Sequence, residues 1–244
     1  MRLRRSHISF SVGLAVRGRD QERLARCLAS LQAQSMRPAQ VLVVEMAEGP
    51  IFKHRDACQR AGVRYLQVED SGGLFPLARL ANIAARQLVG TATHFVKTDV
   101  DAIFMPSLLS TLQDRLQGGP TDLLSVRPRR LPEDYSYSPG RPERWAHDAV
   151  LARGDEKMWG LCMVHDFDSF GELRGFDEAF VGWGGEDRNY VHRAEEKGCT
   201  AEMLELGPVL LHQWHPVANG SRVNGAKHKE WRKRAQRNGP GWGR

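Results

Sequence analysis

Residues 94–101 read His-Phe-Val-Lys-Thr-Asp-Val-Asp, a short apolar run that ends in two aspartates. The run has the length and character of a buried strand. Three earlier stretches have the same character: residues 7–16, 41–44 and 63–68. Apolar residues at helical spacing predict helices between these strands, over residues 21–34, 51–61 and 77–88. Strand and helix thus alternate four times, which predicts an α/β domain around a mostly parallel sheet flanked by helices.

The second half of the chain is less regular. Apolar spacing predicts helices after Pro106, to about Leu116, and over residues 188–197. The same reasoning predicts three strands, at residues 122–126, 161–165 and 209–211. Residues 127–157 are rich in proline, charged residues and tyrosine without a clear period, and we interpret them as a functional loop or lid.

The chain has 244 residues and a net charge of +6, and its length predicts a single folded domain over residues 1–221. Eleven of the 35 basic residues lie at the two ends, eight of them in a basic tail over residues 222–244. The body between the ends is slightly acidic. Such a tail can attract an anionic surface, or it can be a solvated end, and the sequence leaves both alternatives open.

The lengths of the apolar runs and the spacing of the cysteines indicate the cellular compartment in which we expect the protein. No uninterrupted apolar run approaches the roughly 20 residues of a membrane helix, and the basic N-terminus leads into an alternating segment without an apolar signal core. The four cysteines form no CxxC pair and suggest neither a zinc site nor a disulfide framework. We therefore expect a cytoplasmic protein, with peripheral membrane attachment through the tail as an open alternative.

Polar residues follow the predicted strands at the edge where parallel sheets bind ligands. Arg17 follows the first strand, Glu45 the second, and Asp99 and Asp101 the fourth. Two carboxylates at this spacing offer hard oxygen ligands to Mg²⁺ or Mn²⁺, and such an ion can bridge a diphosphate. On its own, an Asp-x-Asp pair is also common in solvated turns.

A second cluster lies at residues 175–187, Gly-Phe-Asp-Glu-Ala-Phe-Val-Gly-Trp-Gly-Gly-Glu-Asp. Its glycines, Gly184 among them, permit close approach of the backbone to a ligand. Trp183 offers a flat face of the kind that packs on sugar rings, and Glu186 and Asp187 offer an acceptor and a base. These residues predict carbohydrate chemistry, with a turn-rich hairpin as the structural alternative.

The segment GFDEAFVGWGGEDRNYVHRAEEKG, with its Gly-Trp-Gly-Gly-Glu-Asp core at 182–187, resembles the acceptor-side block of β1,4-galactosyltransferases, polypeptide N-acetylgalactosaminyltransferases and bacterial chondroitin-type polymerases. The first half resembles the nucleotide-sugar half of inverting bacterial family 2 glycosyltransferases. The resemblance covers roughly residues 9–216. It implies a GT-A fold, Rossmann-like, with a nucleotide-sugar half at about residues 7–101 and an acceptor half at 102–221.

For the donor, the resemblance implies that Asp99 holds the ribose or reaches the metal through water. Arg17 and Glu45 would flank the base and ribose, although many relatives have an Asp-Asp-Gly-Ser turn where this chain has Glu45. Arg79 and Asn82 match an arginine and an asparagine that approach the donor in such enzymes. Trp183 and Gly184 complete the expected donor-binding set.

For the metal and the chemistry, the resemblance implies that Asp101 is a direct ligand of Mn²⁺ or Mg²⁺. Members of the family add a late histidine, and this chain offers His212 and His215. Both can ligate only if the chain turns near Trp214, so His212 is preferred and His215 is the second candidate. Asp187 aligns with the catalytic base and Glu186 with a carboxylate that binds the acceptor.

These residues predict an inverting, metal-dependent glycosyltransferase that moves a sugar from a UDP-sugar to an acceptor hydroxyl. The acceptor could be a glycan, a lipid-linked molecule or a modified base in DNA, as in viral DNA glycosyltransferases. A sugar- or nucleotide-binding module without catalysis is a further alternative. The sequence indicates no oligomeric state.

Overall fold

Strands and helices alternate along the first half of the chain, as the apolar pattern predicts. The structure, a computed structural model, describes residues 7–49, 53–137, 150–151, 159–182, 184–205, 210–216 and 238–244. Its strands are β1 (Phe10–Val16), β2 (Gln40–Ala47), β3 (Arg64–Glu69), β4 (His94–Asp99), β5 (Ala102–Phe104), β6 (Leu123–Val126), β7 (Arg129–Arg130), β8 (Val150–Leu151), β9 (Cys162–Asp166), β10 (Ala201–Leu204) and β11 (Leu210–His212). Its helices are α1 (Gln21–Gln32), α2 (Arg55–Arg60), α3 (Leu77–Leu88), α4 (Leu108–Gly118), α5 (Phe167–Glu172) and α6 (Glu186–Glu196).

Seven strands form the central sheet, in the order β10-β6-β9-β4-β1-β2-β3. Strands β1 to β4 run parallel to one another, and β10 runs parallel to β6. Strand β9 is antiparallel to both of its neighbours, β4 and β6. The sheet is therefore mostly parallel, which confirms the sequence prediction, and it contains one reversed strand near its middle.

Helices cover both faces of this sheet because successive strand residues point to opposite faces. On one face, the apolar side of α1 packs with alternate residues of β1, such as Val12 and Leu14. On the other face, α3 packs with Leu42, Val44 and Phe95. Gly13 lets α3 pack closely, because a Cβ there would lie 2.7 Å from the ring of Phe95 and 2.8 Å from Ala84 Cβ.

A smaller sheet of four strands, β5-β11-β7-β8, stands beside the central sheet. The chain leaves β4 and enters β5 within two residues, Val100 and Asp101, so Asp101 lies where the two sheets meet. Strand β11 pairs antiparallel with β5, and its His212 is opposite Ala102. This pairing brings a late segment of the chain next to the Asp-x-Asp turn.

Strands β5, β7, β8 and β10 and helix α5 were not predicted, and several predicted helices have other bounds. Helix α6 begins at Glu186, two residues before the predicted start, because Gly185 adopts φ 100° and turns the chain into the helix there. Helix α2 covers only Arg55–Arg60 of the predicted 51–61. Parts of the predicted loop or lid (138–149 and 152–158) and residues 217–237 of the tail region lie outside the described residues.

The last described segment, residues 238–244, packs against α3 and α5. The Trp242 ring lies 5.9 Å from the Phe170 ring, and the Arg86 guanidinium stands 5.1 Å from the Trp242 ring. The described helices have at most 12 residues, and none is long and apolar enough to cross a membrane.

Candidate active site

The carboxyl ends of β1, β2 and β3 frame a cleft of about 260 Å³. Arg17 at the end of β1 forms an ion pair with Asp70 just after β3, with Nε 2.6 Å from Oδ2. Its guanidinium also donates to the Gly73 carbonyl at 2.8 Å. The ion pair fixes an acceptor group and a donor group side by side in the lining of this cleft. Sequence analysis identified Arg17 but not Asp70, although Asp70 also follows a predicted strand.

Glu45, expected to face the donor, instead points into a buried network. Its side chain accepts hydrogen bonds from His54 Nδ1 at 2.6 Å and from the Tyr65 hydroxyl at 2.7 Å, and the residue is only 1% exposed. Burial acts to raise its pKa, but the hydrogen bonds from His54 and Tyr65 outweigh burial and leave the pKa below its ordinary value. The Glu45 carboxylate anchors the segment before α2, and the residue also lines the cleft, so its contact with base and ribose stays a prediction.

The structure also gives Asn82 and Arg79 other partners. Asn82 is fully buried, and its side-chain amide bonds both the backbone N–H and the carbonyl of Phe176, and the Glu178 carboxylate. It therefore ties α3 to the start of the glycine-rich segment, and a donor-binding role for it stays a prediction. The Arg79 guanidinium donates to the Arg244 carbonyl at 2.9 Å, so the C-terminal segment engages it.

Asp101, His212 and His215 converge where the two sheets meet. His215 Nε2 lies 3.2 Å from Asp101 Oδ2, and His212 Nε2 lies 3.8 Å from Oδ1. One ligand atom from each of the three residues lies within 4.8 Å of the others. The structure thus brings together the three residues that the sequence offered as metal ligands. The chain turns after His212, so residues three apart face the same point.

Gln213 explains this turn, and sequence analysis missed it. The side chain is fully buried, and its amide bridges to α1, accepting from Arg26 Nε at 2.7 Å and donating to the Arg23 carbonyl at 3.0 Å. Its backbone N–H donates to the Asp101 carbonyl at 2.8 Å. Because Gln213 points inward, the side chains of His212 and His215 stay on either side of the Asp101 carboxylate.

The chemistry of these three residues fits a divalent transition metal ion. One carboxylate with two imidazoles suits Mn²⁺ or a similar cation. Asp101 Oδ1 is buried without a hydrogen-bond partner among the described residues, which is costly unless something else binds it. Burial lowers the pKa of His212, so its ring is neutral and has a lone pair for a metal.

Glu186 and Asp187 occupy the first turn of α6, behind two glycines in left-handed conformation, Gly184 at φ 92° and Gly185 at φ 100°. The helix dipole favours negative charge at this end. Burial is the main cause that raises the pKa of both carboxyls, to about 8 for Glu186, where the neighbouring Asp187 adds to it. Trp183 lies outside the described residues. Burial thus favours the protonated form of both carboxyls, and the Asp187 side chain keeps partial exposure to solvent.

Lys97, a residue that sequence analysis did not single out, lies between the two acidic motifs. Its ammonium is 2.8 Å from Asp99 Oδ1 and 3.9 Å from Asp187 Oδ1, and its side chain is 3% exposed. Burial alone would lower its pKa, but attraction to Asp99, Asp187 and Glu186 outweighs burial and raises it, so Lys97 is a cation. The alternation of Lys97 and Asp99 in β4 was the signal, since residues two apart share a face.

Gly160, just before β9, completes the surroundings of Asp187. A Cβ at Gly160 would lie only 2.0 Å from Asp187 Oδ2 and 2.7 Å from its Cγ. The Gly160 carbonyl also accepts a hydrogen bond from Lys97. Glycine is therefore required where the carboxylate rests against the backbone.

Comparison with known proteins agrees with this geometry. A family model described as the N-terminal domain of galactosyltransferase matches residues 149–215, which include Asp187, His212 and His215. No protein of curated function matches the sequence. Many solved structures are similar in fold.

S. aureus TarS gives a TM-score of 0.61 at 14% identity over 86% of this chain and 37% of TarS. TarS 1–349 in complex with UDP-GlcNAc gives 0.66 at 12% identity, covering 92% of this chain and 64% of that one. The mannosyltransferase PcManGT from Pyrobaculum calidifontis, in complex with GDP-Man and Mn²⁺, gives 0.61 at 16% identity, with 93% and 64% covered. The chain thus spans 37% to 64% of the length of these proteins.

The class of fold follows from these findings. The sheet order, the helices on both faces and the structural similarity show that the chain has the GT-A fold of nucleotide-sugar glycosyltransferases. The fold class predicted from the sequence is confirmed.

Proposed function

We propose that the protein is an inverting, metal-dependent glycosyltransferase that moves a sugar from a nucleotide-sugar donor, a UDP-sugar, to an acceptor hydroxyl. One observation carries the proposal. Three side chains that could hold a metal ion lie at the same end of β4 as the acidic pair of α6, namely Asp101, His212 and His215, and Lys97 and Asp99 link the two groups. Glycosyl transfer requires stabilisation of a charged leaving group and a proton acceptor for the attacking hydroxyl. This edge of the sheet has residues suited to both tasks.

The donor would lie along the carboxyl edge from the cleft to the metal ligands. In the cleft, the Asp70 carboxylate can accept from an N–H of the base, and Arg17 can donate to a carbonyl. Asp101, His212 and His215 would hold the cation, which supplies Lewis-acid stabilisation of the departing diphosphate when bound. Support comes from the similar folds, since TarS was solved with UDP-GlcNAc and PcManGT with GDP-Man and Mn²⁺.

Asp187 is the general base in this proposal. Its side chain is 20% exposed, so an acceptor hydroxyl can reach it, and its backing by Gly160 holds the carboxylate in one position. With its pKa raised to about 8, the Glu186 carboxyl would hold a proton near neutral pH and donate a hydrogen bond to an acceptor oxygen. A single base without a protein nucleophile corresponds to direct displacement, which inverts the anomeric centre.

A screen of UDP- and GDP-sugars for Mn²⁺-dependent release of nucleoside diphosphate tests the proposal. We expect Mn²⁺-dependent release with the wild type. With Asp101→Asn we expect this release to be lost, because a charged ligand of the metal is removed. Asp114→Asn is the matched control, since Asp114 is exposed on α4.

Three results would count against parts of the proposal. Release that is equal with and without Mn²⁺ would refute metal dependence. Donor binding without any release, even with a panel of glycan and lipid-linked acceptors, would indicate a binding module. Release from GDP-sugars alone would correct the nucleotide.

A further inference from the structure

Lys97 is a buried cation that contacts carboxylates from both halves of the domain. It extends from the middle of the sheet, on β4, toward Asp99 at the end of its own strand and Asp187 on α6. Asp99 precedes the metal ligand Asp101, whereas Asp187 belongs to the glycine-rich acidic segment. Burying a lysine ammonium destabilises the folded protein unless opposite charges compensate it, so a buried lysine at this position needs an explanation.

We propose that Lys97 is a positioning residue that holds the Asp187 carboxylate in place and compensates its negative charge. The proposal deepens the proposed function, because it rests on Asp187 being the general base. Lys97 itself need not touch either substrate, since its ammonium is enclosed by Asp99, Asp187 and the Gly160 carbonyl.

The charges around Asp187 make such a cation necessary. Asp99 on β4 repels its negative charge, and only partial access to water solvates it. Arg188 on α6 and Lys97 on β4 attract it. Burial is the largest cause that raises the pKa of Asp187, and Lys97 is the strongest influence that lowers it. Without Lys97, the carboxylate would hold its proton to higher pH and could not accept one from a hydroxyl.

The geometry adds a second role. Asp187 Oδ1 has no hydrogen-bond partner among the residues that the structure describes, and the Lys97 ammonium 3.9 Å away is the group that faces it. The same ammonium is anchored by the Gly160 carbonyl, and Gly160 is the residue against which Asp187 rests. Lys97 thus organises the base and its backing together.

The test compares Lys97→Met with the control Lys197→Met, an exposed lysine at the end of α6. Methionine retains the length of the lysine stem and removes the ammonium group with its charge and hydrogen bonds. In the pH profile of kcat/KM, we expect Lys97→Met to move the acid limb upward by about 1–3 pH units, the usual influence of an opposite charge at this distance. The control should leave the limb in place. A limb that does not move would overturn the proposal.

A double-mutant comparison separates positioning from a purely structural role. In the Asp187→Asn background, Lys97→Met should cause less than a threefold further loss of kcat, because the carboxylate it serves is already gone. An equal loss in both backgrounds would mean that Lys97 acts independently of Asp187, and the proposal would be wrong.

A stability measurement tests the pairing without any enzyme activity. A carboxyl whose pKa is raised by folding makes the folded protein less stable as it ionises. The free energy of unfolding therefore falls as pH rises from the pKa of the unfolded chain to the pKa of the folded protein. In urea unfolding, the free energy of unfolding of Lys97→Met should keep falling to a higher pH than that of the wild type. Adding Asp187→Asn should abolish this difference. A uniform loss of stability at every pH would overturn the pairing. If this difference is seen but no donor is turned over, the pairing is supported and the proposed function fails.

Discussion

Replacing Gly160 by alanine should disable the Asp187 carboxylate while leaving the metal ligands intact. The added Cβ would lie 2.0 Å from Asp187 Oδ2, and ordinary contacts begin at 3.4 Å, so the carboxylate must move by about 1.4 Å. A displacement of about 1 Å in a reacting group costs about 10²-fold in rate. We therefore expect Gly160→Ala to lower kcat by about 10²-fold at saturating donor and Mn²⁺.

Gly171→Ala is the matched control, because Gly171 lies in α5 and a Cβ there meets nothing within 4 Å. It should keep the wild-type kcat and stabilise the fold slightly, since alanine is the better helix former. Mn²⁺ affinity, measured by calorimetric titration, should be unchanged in both variants. A Gly160→Ala enzyme with wild-type kcat would show that Asp187 does not act from the position seen here.

Three further predictions follow from the acidic pair and the tail. Asp187→Asn should retain donor binding in calorimetry yet lower kcat by about 10²–10⁴-fold, and a wild-type rate would move the base to Glu186. The Glu186 pKa is raised from 4.5 to about 8, so between these values the folded protein holds a proton that the unfolded chain has released. Stability should therefore fall as pH rises through this window, and Glu186→Gln should flatten the fall in urea unfolding; an unchanged slope would contradict the raised pKa. Neutralising the basic residues of 227–234 should weaken binding of an anionic acceptor and flatten its salt dependence, and unchanged kinetics at low and high salt would exclude a role for this stretch.

The tail prediction is tested by charge neutralisation because part of the tail is structural. Residues 238–244 pack on α3 and α5; the Gly243 N–H donates to Glu178, and Trp242 contacts Phe170 on α5. Truncation after Ala226 would remove these contacts together with the basic residues.

Local sequence was sufficient for much of the fold. Helix α3 covers residues 77–88 as predicted, because its apolar spacing is unbroken and Pro76 marks its start. The start of α6 was placed two residues late, since a glycine with positive φ looks like any loop glycine in sequence. The small second sheet was not predicted, because β7 and β8 have only two residues each and periodicity needs more.

Some residues of the candidate site can be recognised from local sequence, and others cannot. Asp101 and Asp187 stand in motifs that can be read along the chain, whereas the roles of Lys97 and Gln213 depend on partners 90 and 112 residues away. The hydrogen bonds of Glu45 also go to residues elsewhere in the chain, since His54 and Tyr65 lie 9 and 20 residues away.

The reversed direction of β9 bears on how such a domain can acquire new specificity. Because β9 is antiparallel to β4 and β6, the chain enters it at the same edge where the parallel strands end, and Gly160 reaches Asp187 from that entrance. Ladder hydrogen bonds on both sides secure the register of β9 in the sheet. Under the proposed function, insertions placed before Trp159 would alter what surrounds Asp187 while β9 keeps its register, which makes this entrance the place to diversify in a library selected for new acceptors.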